Sequence, residues 1–237
     1  MSEVILGIDT STQVCVGLAR DGEPIFGETT GDSRSHVELL MSTVKSVMKT
    51  TKTRRSDLTG IAVGMGPGPY TGLRVGVVAA QMLSVALKIP VYHRCSLDVL
   101  GVGWALTYPQ GPYIACTDAR RKELYWAMYD HHGRRIEGPY VSTSENIPDV
   151  SCIGPGVLAP HAHVKVDPFL TIKLGVRIDP FEPRPRPEDV SDILGIDASL
   201  LAAYVHELPD VGPEPLYLRH ADADEPGKAK SVLPEVR

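Results

Sequence analysis

The residues best placed to do chemistry are Asp9, Ser11 and Thr12, in the run Asp9-Thr10-Ser11-Thr12, and Asp118 with Arg120, in Asp118-Ala119-Arg120-Arg121-Lys122. Each run follows an apolar stretch that alternates like a strand, Val4 to Ile8 in one case and Tyr113 to Cys116 in the other. A carboxylate at a strand end, followed by a hydroxyl-rich or basic turn, suits phosphate. Backbone N–H groups and hydroxyls cradle the oxygens while the carboxylate faces a metal ion or water. The same residues make good plain hairpin turns, because short polar side chains bond to the backbone two residues on. A third candidate is Gly64-Met65-Gly66-Pro67-Gly68-Pro69-Tyr70-Thr71-Gly72, which leads from an apolar run into an apolar helix. Backbone at such a junction meets an anion or a close neighbour. It lacks the Gly-Lys-Ser/Thr of a P-loop and the glycine spacing of a dinucleotide fingerprint.

Other chemistries find little support. No two histidines stand four apart, and His131-His132 and His161-Ala162-His163 fall in expected loops, so no metal site is expected. Cys15, Cys95, Cys116 and Cys152 form no CxxC pair and read as small core residues in a reducing compartment. There is no GxSxG elbow for a nucleophilic serine. With 237 residues, a net charge of -5 and a pI of about 5.9, the chain lacks the basic excess of a dedicated nucleic-acid binder. The basic run Lys45, Lys49, Lys52, Arg54 and Arg55 reads first as a solvated helix C-terminus, where cations favour the macrodipole.

The elements that must position these residues repeat. Strands over 4–8 and 14–19 close at Asp21-Gly22, and strands at 113–116 and 124–129 close near Asp130 and Gly133. Asp9 to Asp21 and Asp118 to Asp130 are each twelve residues apart, which reads as a duplicated lobe led by a β-hairpin. Between the two units the pattern predicts helices over 35–50 and 71–88, a strand at 60–65, a short strand at 91–93 and a helix from Ser96 or Asp98 to Leu106. Later, Ser142-Thr143-Ser144-Glu145 resembles a helix start, Ser151 to Ile153 a short strand, and Asp197 a cap for a helix to Glu207. Prolines 180, 183, 185 and 187 mark an extended connector, and the stretch from Ala221 on a loose charged tail. The fold class is α/β in two duplicated lobes with mixed sheets: residues 1–107, residues 108–220 and a tail over 221–237. The chain starts straight into a strand, and the apolar stretch from Val75 to Leu87 is too short to span a bilayer, so no membrane partner is expected. One feature of the second helix needs a reason. Gly72, Gly76, Ala80 and Ser84 recur every four residues, at a cost of about 1 kcal/mol per glycine relative to alanine. Either another element of the same lobe or another subunit must come very close to that ridge.

Taken together, Ile5-Leu6-Gly7-Ile8-Asp9-Thr10-Ser11, His36-Val37-Glu38-Leu39-Leu40, the run from Gly66 to Gly76, Ser96-Leu97-Asp98, Asp118-Ala119-Arg120-Arg121-Lys122-Glu123-Leu124-Tyr125 and Pro215-Leu216-Tyr217-Leu218-Arg219 resemble the TsaB (YeaZ) family. The resemblance spans about residues 4 to 219 and is poor over 160–195. It implies the actin/Hsp70/sugar-kinase fold and a role in making threonylcarbamoyladenosine next to the tRNA anticodon. Its implied partners are a paralogous transferase, TsaD, a small ATPase, TsaE, and tRNA through the complex. It also implies a cytoplasmic setting, and a homodimer where the paralogue is missing. The catalytic paralogues carry two metal-binding histidines four apart, and here the matching positions are Ser96 and Leu100. The resemblance therefore implies no catalytic residue and no metal or cofactor bound by the chain alone, with ATP or ADP and Mg²⁺ entering at the level of the complex. It places the partner interface on the helices at 35–50 and 71–88, through His36, Leu40, Val44, Gly72, Arg74, Gly76, Ala80 and Ser84. Asp9, Ser11, Thr12, Asp118 and Arg120 stay as nucleotide candidates. Two rivals remain, a small phosphotransferase or hydrolase of the same fold using Asp9 or Asp118 with Mg²⁺, and a homodimeric scaffold.

Overall fold

The computed structural model describes residues 2–30, 36–107, 112–148, 151–153 and 195–219. Two sheets carry the chain. The first has the order β3-β2-β1-β4-β5, from β1 (Val4–Asp9), β2 (Val14–Arg20), β3 (Glu23–Thr30), β4 (Gly60–Gly64) and β5 (Val91–Arg94). The second has the order β8-β7-β6-β9, from β6 (Tyr113–Asp118), β7 (Glu123–Tyr129), β8 (Arg135–Thr143) and β9 (Ser151–Ile153). The first three strands of each half form an antiparallel meander, and the fourth runs parallel beside the first. Even the hairpin registers agree: Asp9 lies opposite Cys15 and Asp118 opposite Leu124. The duplication read from the two hairpins is therefore repeated strand by strand.

Among the described residues four α-helices cover these sheets: α1 (His36–Thr50), α2 (Tyr70–Leu87), α3 (Ser96–Thr107) and α4 (Ala198–Ala203). Strand alternation decides what each face meets. Val4, Leu6, Ile8, Val14, Val16 and Leu18 point to one side and form a core with Leu40, Val44 and Val47 of α1 and Val77 and Ala80 of α2. Ile5, Cys15 and Ala19 point to the other side. There they join Leu97 and Leu100 of α3, Tyr113 and Tyr129 of the second sheet, and Leu201 of α4 in one core shared by both halves. Asp21 and Gly22 both take positive φ, 52° and 80°, as the two-residue hairpin turn demands.

The last described segment departs from the expected domain boundaries. Residues 195–219, assigned to the second lobe, return to the first sheet. Gly7, Gly17 and Gly27 lie side by side across β1, β2 and β3. A Cβ at Gly17 would stand 2.1 Å from Ser199 N, so the backbone of α4 rests directly on that bare row. Asp197 caps α4 as expected, its Oδ1 accepting from Ser199 N at 2.8 Å, although the helix ends at Ala203 and continues to Glu207 only as turns. Beyond it, Val211 N donates to His93 O and covers the free edge of β5. Ser144–Asn146 is one 3-10 turn rather than a helix. The proline connector and the tail over 221–237 lie outside the described residues. With 18 residues, α2 is by length and composition able to cross a membrane, yet one side of it lies on the sheet, burying Gly72, Leu73, Gly76, Val77 and Ala80.

Candidate partner interface

The Asp9 turn is welded to the glycine loop and to α2. Asp9 is wholly buried, and both carboxylate oxygens are engaged. Its Oδ1 accepts from Ser11 N at 2.8 Å and Ser11 Oγ at 2.7 Å, and its Oδ2 accepts from Ser96 Oγ at 2.5 Å. Ser96 Oγ in turn accepts from Gly66 N at 3.0 Å. At Gly64 a Cβ would stand 1.7 Å from Asp9 Oδ2, which is why this loop opens with glycine. Thr10 completes the joint. Its hydroxyl donates to Gly72 O at 2.8 Å and accepts from Gly76 N at 3.1 Å, sitting between a carbonyl and an N–H one helical turn apart.

This geometry corrects the expected interface. Gly72, Gly76 and Ala80 are buried against their own lobe, where the Thr10 hydroxyl supplies the close approach the ridge required. Leu40 and Val44 are core residues, at 1% and 3% exposure. All five are taken up inside their own chain. Ser84 is half-buried and donates to Ile89 O, closing the helix end. Arg74 alone of the set is exposed as expected, and the side chain of His36 lies outside the described part. The outward stripe is a different one. Val78, Met82 and Val85 stand 48%, 68% and 79% exposed on α2, with Met41 of the neighbouring α1 at 42%. Thr71, Arg74 and Gln81 lie on the same exposed side. A contiguous apolar stripe with a polar margin is the composition of a docking surface.

The nucleotide candidates fare differently in the two halves. Asp9 and Ser11 are buried and bonded to each other. Thr12 is partly exposed. Asp118 and Arg120 are brought together by the β6–β7 turn, where Asp118 Oδ1 accepts from Arg120 N at 2.7 Å. Ser96 and Leu100 are both buried, and no cluster of three metal-ligating side chains occurs among the described residues. Cys15, Cys95 and Cys116 are buried and stand outside any disulfide, and burial pushes the Cys15 thiol up to about 12.

Sequence reasoning missed one buried charge cluster. Asp98 Oδ1 accepts from Tyr129 OH at 2.8 Å and lies 3.2 Å from Arg135 Nε, tying α3 to β7 and β8. Burial raises the Asp98 carboxyl above its ordinary value, because desolvation outweighs the Arg135 charge, the Tyr129 hydrogen bond and the Arg94 charge together. The nearest signal in the sequence was the lone acid in an otherwise apolar helix start.

Comparison with known proteins decides the lineage. The family model described as "TsaD: tRNA N6-adenosine threonylcarbamoyltransferase" matches residues 30–152, just over half of the chain. An uncharacterized protein of Mycobacterium tuberculosis is 34% identical over 92% of this chain and 93% of its own length. The chain belongs to the TsaD family, in its TsaB (YeaZ) branch. The tRNA threonylcarbamoyladenosine biosynthesis protein TsaB of Escherichia coli is 32% identical over 148 residues. That match covers 56% of this chain and 60% of the TsaB chain, so the likeness to it spans about three fifths of its length. YeaZ from Pseudomonas aeruginosa superposes with a TM-score of 0.55 at 28% identity, over 62% of this chain and 69% of that one. The strand order and these relatives place the molecule in the actin/Hsp70/sugar-kinase fold.

Proposed function

We propose that this chain is a non-catalytic subunit for tRNA threonylcarbamoyladenosine synthesis that docks on a TsaD-type paralogue through the outward face of α1 and α2. The observation carrying this reading is the exposed stripe Val78, Met82 and Val85 beside Met41. Burying a large apolar side chain fully contributes about 1.5–3 kcal/mol, so this stripe suffices to anchor an interface that excludes water. A paralogue with the same helix pair offers a complementary surface, and without it two copies pair on the same face. Ser96 and Leu100 support the non-catalytic role, since neither is an imidazole, the Ser96 hydroxyl is engaged by Asp9 and Gly66, and Leu100 is a core residue. A TsaE-type ATPase joins the pair in the cytoplasm, and ATP or ADP with Mg²⁺ and the tRNA are handled by the assembly. Thr12, Asp118 and Arg120 are the groups of this chain left for nucleotide.

The test is co-purification with a TsaD-type paralogue and reconstitution of tRNA modification with and without this chain. Met82→Glu and Val85→Glu are expected to abolish the complex and the modification while the thermal midpoint of the isolated chain stays put, because both side chains are mostly solvated. An intact complex with both substitutions refutes the docking face. Modification of tRNA by this chain alone refutes the non-catalytic role.

A further inference from the structure

The strap that follows α4 links the two halves by a line of rings and cations. At its near end, Arg74 lies 4.1 Å over the ring of Tyr70, and Tyr70 pairs with Tyr217 at 4.8 Å between centroids. Tyr70 and Tyr217 stand 44% and 38% exposed, in a chain only 6% aromatic. Leu216 N donates to Met65 O and fixes the strap beside the glycine loop. Two residues after Tyr217, Arg219 Nη1 donates to Ala119 O at 2.9 Å and pairs with Glu123, at the base of the β6–β7 turn. Two residues of chain span at most about 7 Å, so the strap carries the Tyr217 ring and the Arg219 guanidinium that holds the turn within one short segment.

That turn is unusual. Arg120, Arg121 and Lys122 are all exposed and all hold positive φ, at 64°, 53° and 65°. Left-handed backbone costs an L-residue with a Cβ roughly 1–2 kcal/mol. Glycine or asparagine would fit these positions at less cost, yet the chain places three long cations there. Outliers of this kind cluster where a site needs its side chains held out in a set direction. On a molecule of net charge -5, the three form a local basic tip at the end of an aromatic step.

We propose that this strap and turn bind an unpaired RNA loop, with Arg121 and Lys122 on phosphates and a base stacked on the Tyr70–Tyr217 pair. Cations tracking a backbone beside rings that accept a base are the recurring means of holding single-stranded nucleic acid. The inference rests on the proposed tRNA-modifying role and gives the subunit a direct part in holding the substrate. The track begins at the N-terminal end of α2, where Arg74 also borders the docking stripe, and runs away from that stripe along the strap toward the β6–β7 turn.

The experiment uses the full chain bound to its TsaD-type paralogue, titrated with an anticodon stem-loop RNA by fluorescence anisotropy from about 50 to 200 mM salt. The double substitution Arg121→Asn/Lys122→Asn removes two charges and keeps a residue that tolerates the left-handed backbone. It is expected to flatten the slope of log affinity against log salt by about 1.4, at about 0.7 per phosphate of a single strand. Tyr217→Ala is expected to weaken binding about fivefold or more, and Tyr217→Phe to restore it, since the ring and not the hydroxyl stacks. An unchanged slope and affinity overturns the inference. So does a double variant that sheds the paralogue while its salt slope for RNA is unchanged, which would make the turn a protein contact. Reconstitution without this chain separates the two levels: modification that proceeds normally defeats the functional reading itself, whereas a required chain whose variants hold RNA like the parent defeats this inference alone.

Discussion

Replacing Gly76 by alanine tests whether the small-residue ridge belongs to the core. A Cβ there would stand 2.4 Å from Thr10 Oγ1, well inside any tolerated contact. The hydroxyl must leave its place between Gly72 O and Gly76 N, losing two hydrogen bonds worth about 1 kcal/mol each. Overpacking adds about 1–3 kcal/mol, and the gain in helix propensity returns about 1 kcal/mol. The net expectation is a loss of about 2–4 kcal/mol, or about 5–15 °C in Tm at this chain length. The second arm decides the cause. Thr10→Ala removes the obstructing oxygen and leaves only a Cβ at 3.4 Å, an ordinary contact. Alanine at 76 should then be neutral or stabilising by up to about 1 kcal/mol, so the sign of its effect reverses between the two backgrounds. Chemical denaturation of the four proteins of this cycle supplies the measurement. A Gly76→Ala protein as stable as the parent, or an equal penalty in both backgrounds, refutes the argument that Thr10 is what the glycine accommodates.

Two further predictions come from the same cores. Gly17→Ala sets a Cβ 2.1 Å from Ser199 N, and backbone cannot step aside, so α4 should lift from the first sheet. Hydrogen exchange over 195–208 should rise to the rate of unprotected backbone, and unchanged protection would show that the helix does not rest on the glycine row. Because burial raises the Asp98 carboxyl in the folded state, the native protein holds a proton that the unfolded chain releases from about pH 4 upward. Stability from this group is therefore present at low pH and is lost as pH rises through the folded value. Asp98→Asn should flatten the fall in denaturation midpoint over that window, and a variant with the parent's pH profile would remove Asp98 as the titrating group.

Local chemistry made much of the fold legible. Asp21-Gly22 announced its hairpin, the stripe from Val37 to Met48 its helix, and Asp197 its cap, because each signal is complete within a few residues. The face of α2 was not legible. That helix is apolar on nearly every side, so period-four spacing shows that something approaches Gly72 and Gly76 without saying what. The neighbour was Thr10, some sixty positions earlier, and no periodicity connects the two. Val78, Met82 and Val85 read equally well as core, and only the placement of the sheet turns them outward. A signal for α4 was present in Gly7, Gly17 and Gly27, ten residues apart on strands already expected to pair. Recognising it required the register, which sets those glycines side by side. The Asp98–Tyr129–Arg135 cluster joins three elements at long range and left no mark in any single window.

The duplicated hairpins show how one backbone plan came to serve two purposes. Both begin with a strand that ends in aspartate, and both pair that aspartate with a residue six positions on. In the first half the turn is drawn inward. Asp9 is sealed by Ser11 and Ser96, and Thr10 is driven into α2, so the turn holds the helix whose outer face is the docking stripe. In the second half the turn is pushed outward. Asp118 bonds to its own turn, and Arg120, Arg121 and Lys122 stand in solvent on left-handed backbone. The burial of the first turn secures the position of α2 relative to the sheet. The asymmetry supports the proposed docking role: the first turn braces the helix that carries the apolar stripe, and the second turn presents its cations outward.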